Sequence, residues 1–364
     1  MKIFYKKLLL LFSLIAVFKA YSGFLIVPLV KKTPKFGTSL GLLSGFMYKF
    51  DEESQYSSMF AFVNRSSTNS YSYGLATNNL FMEERHKLMA LVVNAKVNNT
   101  YDNFLGIAPA ELTDNFSAYG LRYAYRVYDR WYVGPQFFLV NYNMSSVNAI
   151  KPARESLAFN AAEAGGSSKD VANKIIDDLG KVNVTVKSNS VGYLLQYNSK
   201  DNNQMPSDGI FFEFQQRFSR EALGSSSNYH FSSFVGSMYK DFGTSHVTAF
   251  QLRGLFASDA VPLAIYPSIK LRGYTPGEQK AKNNLAFQLE ERFFISDSFR
   301  LTLFSGVTCL FKSLSECKKS NNLYPMAGTG FQYVLNKDEK MAIRLDYAIG
   351  KFGSGVYLQL GQAF

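Results

Sequence analysis

Only two cysteines occur in 364 residues, too few for a disulfide framework or a thiolate metal cluster. The three histidines, His86, His230 and His246, are widely spaced, which weighs against a zinc site or a triad. No P-loop, GxSxG or HExxH pattern is present. Charged residues make up only 18%, yet mean hydropathy is −0.09, and no apolar run of spanning length follows residue 30. That combination excludes a helical membrane protein. Disorder is excluded by what is plentiful, since 33 Phe and 23 Tyr sit beside a single Trp.

The N-terminus carries Lys2, Lys6 and Lys7, then LLLLFSLIAVF, then small residues around Ala20 and Ser22. This order reads as a secretory signal peptide over residues 1–22. An uncleaved anchor is the alternative, because FLIVPLV prolongs the apolar run, but Lys19 and Pro28 interrupt it. No cysteine near the site allows a lipoprotein. Loss of the four signal-peptide lysines leaves +7 of the formal +11. An exported basic chain suits phosphate-bearing lipid headgroups and makes nucleic acid an unsuitable partner.

The period beyond the signal is two. LAFQLEERFFI puts Leu285, Phe287, Leu289 and Phe293 on one face and Gln288, Glu290 and Arg292 on the other. MAIRLDYAI separates Ile343, Leu345 and Tyr347 from Arg344 and Asp346 in the same way. A tilted membrane strand needs about 9–11 residues and a globular strand about 5–6, and most runs here reach the longer figure. The expected fold is therefore an all-β, antiparallel transmembrane β-barrel over residues 23–364. Fifteen runs count back from the C-terminus and FLIVPLV makes a sixteenth, with fourteen strands as the alternative. Short turns such as 82–85, 129–130 and 242–245 alternate with long loops at 98–116, 145–186 and 259–284. Within 145–186, KDVANKIIDDLGK has helical spacing and predicts a short helix. Glu291 would face lipid if alternation is strict, and a β-bulge is one way to turn it.

Four pieces of the C-terminal half resemble the BamA/TamA superfamily of outer-membrane assembly barrels, the bacterial surface-antigen family. LRGYTPGE matches its loop motif through Arg272, Gly273 and Tyr274. LEERF matches its next strand through Glu290 and Arg292. YNSKDNNQMPSDG is similar to its turn, with Asp201, Asn202, Pro206 and Gly209 in place. The closing GVYLQLGQAF, with Val356, Leu358, Leu360 and Phe364 at alternate positions, is like its last strand and its recognition end. Two departures stand out: Asn198 and Lys200 replace an Asp and an Arg of the turn, and Gly306 occupies the position of the aspartate that receives the loop arginine.

The resemblance implies a loop folded back into the lumen, with Arg272 pinned to a wall carboxylate, Glu290 first and Asp346 second. It implies localisation in the bacterial outer membrane among its lipids, and assistance to the assembly, insertion or translocation of unfolded client proteins. POTRA modules generally precede such barrels. Here only a short stretch follows the expected cleavage site, so a short member without POTRA domains, served by a periplasmic partner, is expected. The alternative function is a pore or structural surface antigen without assembly activity. No cofactor, metal or catalytic residue is expected; the Glu290/Arg292 and Arg344/Asp346 alternations read as lumen salt bridges. Cys309 and Cys317 flank a loop and could form a disulfide in an oxidising compartment.

Overall fold

The computed structural model describes residues 24–33, 37–104, 108–146, 183–262, 265–274, 277–337 and 340–364. Alternating sequence becomes sixteen antiparallel strands. They are β1 (Phe24–Thr33), β2 (Gly37–Tyr48), β3 (Ser57–Ser66), β4 (Tyr71–Phe81) and β5 (His86–Phe104). Then come β6 (Ala108–Tyr128), β7 (Trp131–Ser146), β8 (Asn183–Asn198), β9 (Gly209–Ser219) and β10 (Tyr229–Asp241). The rest are β11 (His246–Ala257), β12 (Asn283–Phe294), β13 (Phe299–Phe311), β14 (Leu323–Asn336), β15 (Met341–Gly350) and β16 (Gly353–Leu360). Each strand pairs with its sequence neighbours, and β16 returns to β1 to close the barrel. The signal peptide and the helix expected near residues 169–181 lie outside the described residues.

The outward face is the apolar one. Leu40, Leu121, Leu139, Leu303, Phe331 and Tyr347 are exposed there, as a lipid-facing wall requires. Aromatic rings gather near the short-turn end, where Tyr128 is 76% exposed and Phe242 stacks on His246 at 4.7 Å. His86 stacks on Phe81 in the same band and shares a 2.6 Å hydrogen bond with Tyr123. Such rings suit an interface that is oily on one side and wet on the other.

Two expectations need correction here. Residues 98–104 and 108–116 are strand and not loop, because β5 and β6 pair from His86↔Tyr125 to Tyr101↔Ala110. Asn, Thr and Asp on both faces made the segment look irregular, but a hairpin projecting past the apolar band has water on both sides. Side-chain bonds span it, Asn99 to Asp114 at 2.8 Å and Thr113 to Asn98 at 2.9 Å. Nor does a bulge turn Glu291. The β11–β12–β13 register runs through it without a shift, so its carboxylate faces outward, where it accepts one bifurcated hydrogen bond from the Thr248 hydroxyl, whose oxygen lies 2.8 and 3.0 Å from its two oxygens.

The closure is weaker than every other junction. Among the described residues only Lys31↔Tyr357 and Lys32↔Val356 pair across β1 and β16, whereas eight pairs join β15 to β16. Below them the two edges overlap. Leu25 and Val27 share β1's inward face with their partners Gly45 and Leu43. They form one buried cluster with Met341, Ile343 and Leu358, which lie on the outward face of β15 and β16. The inner surface of the first strand thus laps over the outer surface of the last two.

Candidate functional site

Between β11 and β12 the connection brings residues 269–274 inside the barrel, and Asn283 and Asn284 belong to the strand. Ile269 and Leu271 alternate in IKLRGY and are 1% and 4% exposed. They pack with Tyr274, Phe304, Leu310, Met326 and Ala348 on the inner wall of β13 to β15. Burial of these side chains holds the limb against the wall and delivers Arg272 to the carboxylates.

The Arg272 guanidinium donates to Asp346 Oδ2 at 2.6 Å and to Glu290 Oε2 at 3.2 Å. Asp346, ranked second from sequence, is the closer partner. One face of the guanidinium lies 3.4 Å from the Phe304 ring centroid. Gly306, two residues on, offers no acceptor, so the wall supplies its acid from β12 and β15 instead. Gly273 has φ +83°, and a Cβ there would meet Gly350 N at 2.7 Å, so only glycine fits. Its N–H donates to the Tyr357 hydroxyl at 2.8 Å. The Tyr274 hydroxyl donates to the Pro325 carbonyl at 2.5 Å and accepts from Lys351 N–H at 3.0 Å.

Around this pin the wall is fully paired. Glu290 and Asp346 are both 0% exposed. Glu290 accepts from Arg292 Nε at 2.9 Å and from Arg344 at 2.8 and 2.9 Å. Arg344 also reaches Asp346 at 3.1 Å, and Gln359 donates to the same carboxylate at 3.3 Å. Sequence reading saw Arg344 only as a neighbour of Asp346; it is the bridge between both acids. Its inward position on β15, level with the β12 glutamate, is the signal that alternation offered.

The same network reaches the short-turn mouth. Arg292 donates to the Pro206 carbonyl at 2.9 Å and to the Phe364 carbonyl at 3.1 Å. Pro206 belongs to the 199–208 turn, which crosses beneath the lumen. Met205 is buried against Val334 and Ala342, and Asn203 N–H bonds Gln55 at 2.7 Å. Asp201 accepts Ser207 and Asp208 N–H groups at 2.9 and 3.1 Å. Asn202 accepts Gln204 and Met205 N–H groups, both at 2.8 Å. Gly209, at φ +109°, starts β9. Lys200 lies near the Phe211 ring, and burial pushes its ammonium down to about 8.

Phe364 is a correction. Val356, Leu358 and Leu360 lie in β16, but that strand ends at Leu360. Gly361, at φ +80°, breaks the alternation, and Gln362 then turns inward to accept from Arg344 at 3.2 Å. Contacts with the inward Arg292 and Arg344 hold the tail at the lumen. At the other end, Cys309 of β13 and Cys317 in the following connection are disulfide-bonded.

One serine–histidine pair lies among the described residues. Ser245 is 3.0 Å from His246 Nδ1, but its hydroxyl donates to the Phe242 carbonyl at 2.9 Å. The Glu291 carboxylate is 3.8 Å from His246 Nε2, too far to orient the imidazole. Among the described residues no three His, Cys, Asp or Glu side chains gather as metal ligands.

Comparison with known proteins agrees with the geometry. The Omp85 superfamily domain matches residues 38–262. In fold the chain is similar to the crystal structure of BamA from Haemophilus ducreyi lacking POTRA domains 1–3, at 14% identity and a TM-score of 0.53. The match covers 94% of this chain and 70% of that one. It is also similar to CdiB from Acinetobacter baumannii, at 10% identity and a TM-score of 0.57, over 94% of this chain and 60% of that one. At such identities the likeness is one of fold. No curated protein matches the sequence.

Proposed function

The chain belongs to the Omp85 superfamily, and from that premise we propose that it assists assembly, insertion or translocation of proteins at the bacterial outer membrane. The seam carries this reading. Two residue pairs close the barrel, and each backbone hydrogen bond contributes only about 0.5–1.5 kcal/mol net. Below the pairs, the free edges of β1 and β16 hold unpaired N–H and C=O groups, a template on which a client strand can form. The apolar lap of Leu25 and Val27 on Leu358 covers those edges at rest. Its parting would expose an oily patch facing the membrane, suited to an arriving strand.

The Arg272 pin has a mechanical part in this scheme. Asp346 and Gln359 lie on the two strands that form the moving edge, and the pin ties them to β12 through Glu290. The working partners are outer-membrane lipids, an unfolded client and a periplasmic protein that delivers it; no catalytic residue or cofactor takes part.

A seam lock tests the reading. Lys31→Cys with Tyr357→Cys places two thiols on a paired position. Oxidation is expected to lower the levels of other outer-membrane proteins, and a reductant that opens the lock should restore them. Unchanged levels in the oxidised strain would refute an assembly role and leave the pore or surface-antigen alternative. A steady large conductance from the purified barrel would favour that alternative.

A further inference from the structure

Glu291 puts a carboxylate on the oily face of the wall, and the residues around it say at what depth. Its register row runs from Lys240 of β10 through Thr248 of β11 to Glu291 of β12 and Leu303 of β13. One row toward the long loops the same strands present Met238, Phe250 and Leu289. One row toward the short turns His246 pairs with Phe293, and Phe242 stacks on the imidazole at 4.7 Å. Glu291 therefore lies where the apolar band meets the aromatic one, the level of lipid headgroups. Short turns face the periplasm in barrels of this kind, so the leaflet is the periplasmic one.

The carboxylate is oriented but little used. The Thr248 hydroxyl holds it through the one bifurcated bond at 2.8 and 3.0 Å. His246 Nε2 lies 3.8 Å away, beyond hydrogen-bond range. An ionised carboxylate has about four lone-pair sites, so most of its accepting capacity points away from the protein. Its side chain is 28% exposed. Lys240 stands two strands away, about 10 Å between backbones. Its ammonium is 3.5 Å from Asp208, and both side chains are more than half exposed. Water weakens such a pair, and an anionic group can displace it.

We propose that Glu291, held by Thr248, and Lys240 form an outward-facing site for one phospholipid headgroup of the phosphatidylethanolamine class. A primary ammonium brings three N–H donors to the open carboxylate oxygens, a charge-assisted bond on both sides. The rings of Phe293 and Phe242 beside it add π faces for a cation. The phosphate, a two-carbon linker away, falls on the Lys240 side, and the acyl chains run over Met238, Phe250 and Leu289. A choline headgroup has the same charges but no N–H to donate. The site rests on this wall facing lipid and not on any assembly activity.

The test uses the full barrel, purified in a sugar detergent and exchanged into mixed micelles with equal amounts of phosphatidylethanolamine and phosphatidylcholine. Native mass spectrometry reads which lipid stays bound, and heat-modifiable gel mobility checks folding. One phosphatidylethanolamine is expected to be retained in preference to phosphatidylcholine. Glu291→Gln keeps an acceptor for Thr248 and loses the charge. It should cut the preference about tenfold, the worth of one charged hydrogen bond. Thr248→Val, which frees the carboxylate to turn, should lower the same preference and serves if Glu291→Gln fails to fold. Lys240→Gln should reduce both lipids alike, because both carry the phosphate. Arg65→Gln, exposed on the outward face of β3 at the long-loop end, should change neither. Equal retention of the two lipids by the wild type, or an unchanged preference in Glu291→Gln, overturns the site.

Discussion

Two neighbouring sectors of the lumen wall use the same residue types to opposite ends. On β12 to β16, Arg272, Arg292 and Arg344 share Glu290 and Asp346, and the remaining N–H groups go to the Pro206, Phe364 and Gln362 oxygens. On β9 to β11, Arg217 and Arg253 have rings and one amide oxygen. Pairing fixes position: the first sector ties loop, wall, turn and tail into one body. Charge without an acid ties no loop or tail to the wall in this way. The paired sector lies beside the seam and the sparsely paired one borders that sector at β11 and β12, so the same wall holds both arrangements.

Glu290→Ala is the strongest challenge to this contrast. It leaves Arg292 and Arg344 buried at 0% exposure with their main acceptor gone. Breaking a buried pair costs about 3–5 kcal/mol. The melting temperature in detergent should fall by many degrees, and an unchanged value would show that the network is not what holds this sector.

Arg272→Ala comes next. Arg272 is 9% exposed at the end of a limb, and Arg344 still neutralises both acids, so the loss should be smaller, about 1–3 kcal/mol. The limb should become open to protease, whereas Lys270→Ala should leave cleavage at the wild-type rate. Equal cleavage in both variants would mean that the apolar packing of Ile269 and Leu271, not the pin, holds the limb. Gly273→Ala should loosen it less, by about 1–2 kcal/mol from the left-handed backbone, plus the push of its Cβ on Gly350.

How much of this could be read from sequence follows from the physics of each part. Strand count and facing are local, because alternation records which side of the wall each residue meets; Glu290, Arg292 and Asp346 were legible as inward on that ground alone. The loop motif was legible as Arg272, Gly273 and Tyr274, though not the choice of Asp346 as nearer acceptor, which depends on the lateral offset of β15 from β12. The seam overlap was hidden, since Leu25, Val27 and Leu358 alternate like any other wall residues. The polar hairpin at 98–116 was misread because strands in water lose the oily face that announces them. Phe364 was misread because Val356, Leu358 and Leu360 alternate up to it, although Gln362 already departs from the apolar pattern and Gly361 ends the strand.

The smallest expected effect is the most telling. Arg253→Gln removes a cation that has no carboxylate, keeps an amide able to bond Gln251, and relieves Arg253's repulsion of Lys270. Its stability should lie within about 0.5 kcal/mol of wild type, with any change toward greater stability. Unfolding scans of the two proteins in the same detergent measure the difference. A loss in Arg253→Gln comparable to that of Glu290→Ala would mean that this sector too is held by its charges, and the division between the two sectors would fall.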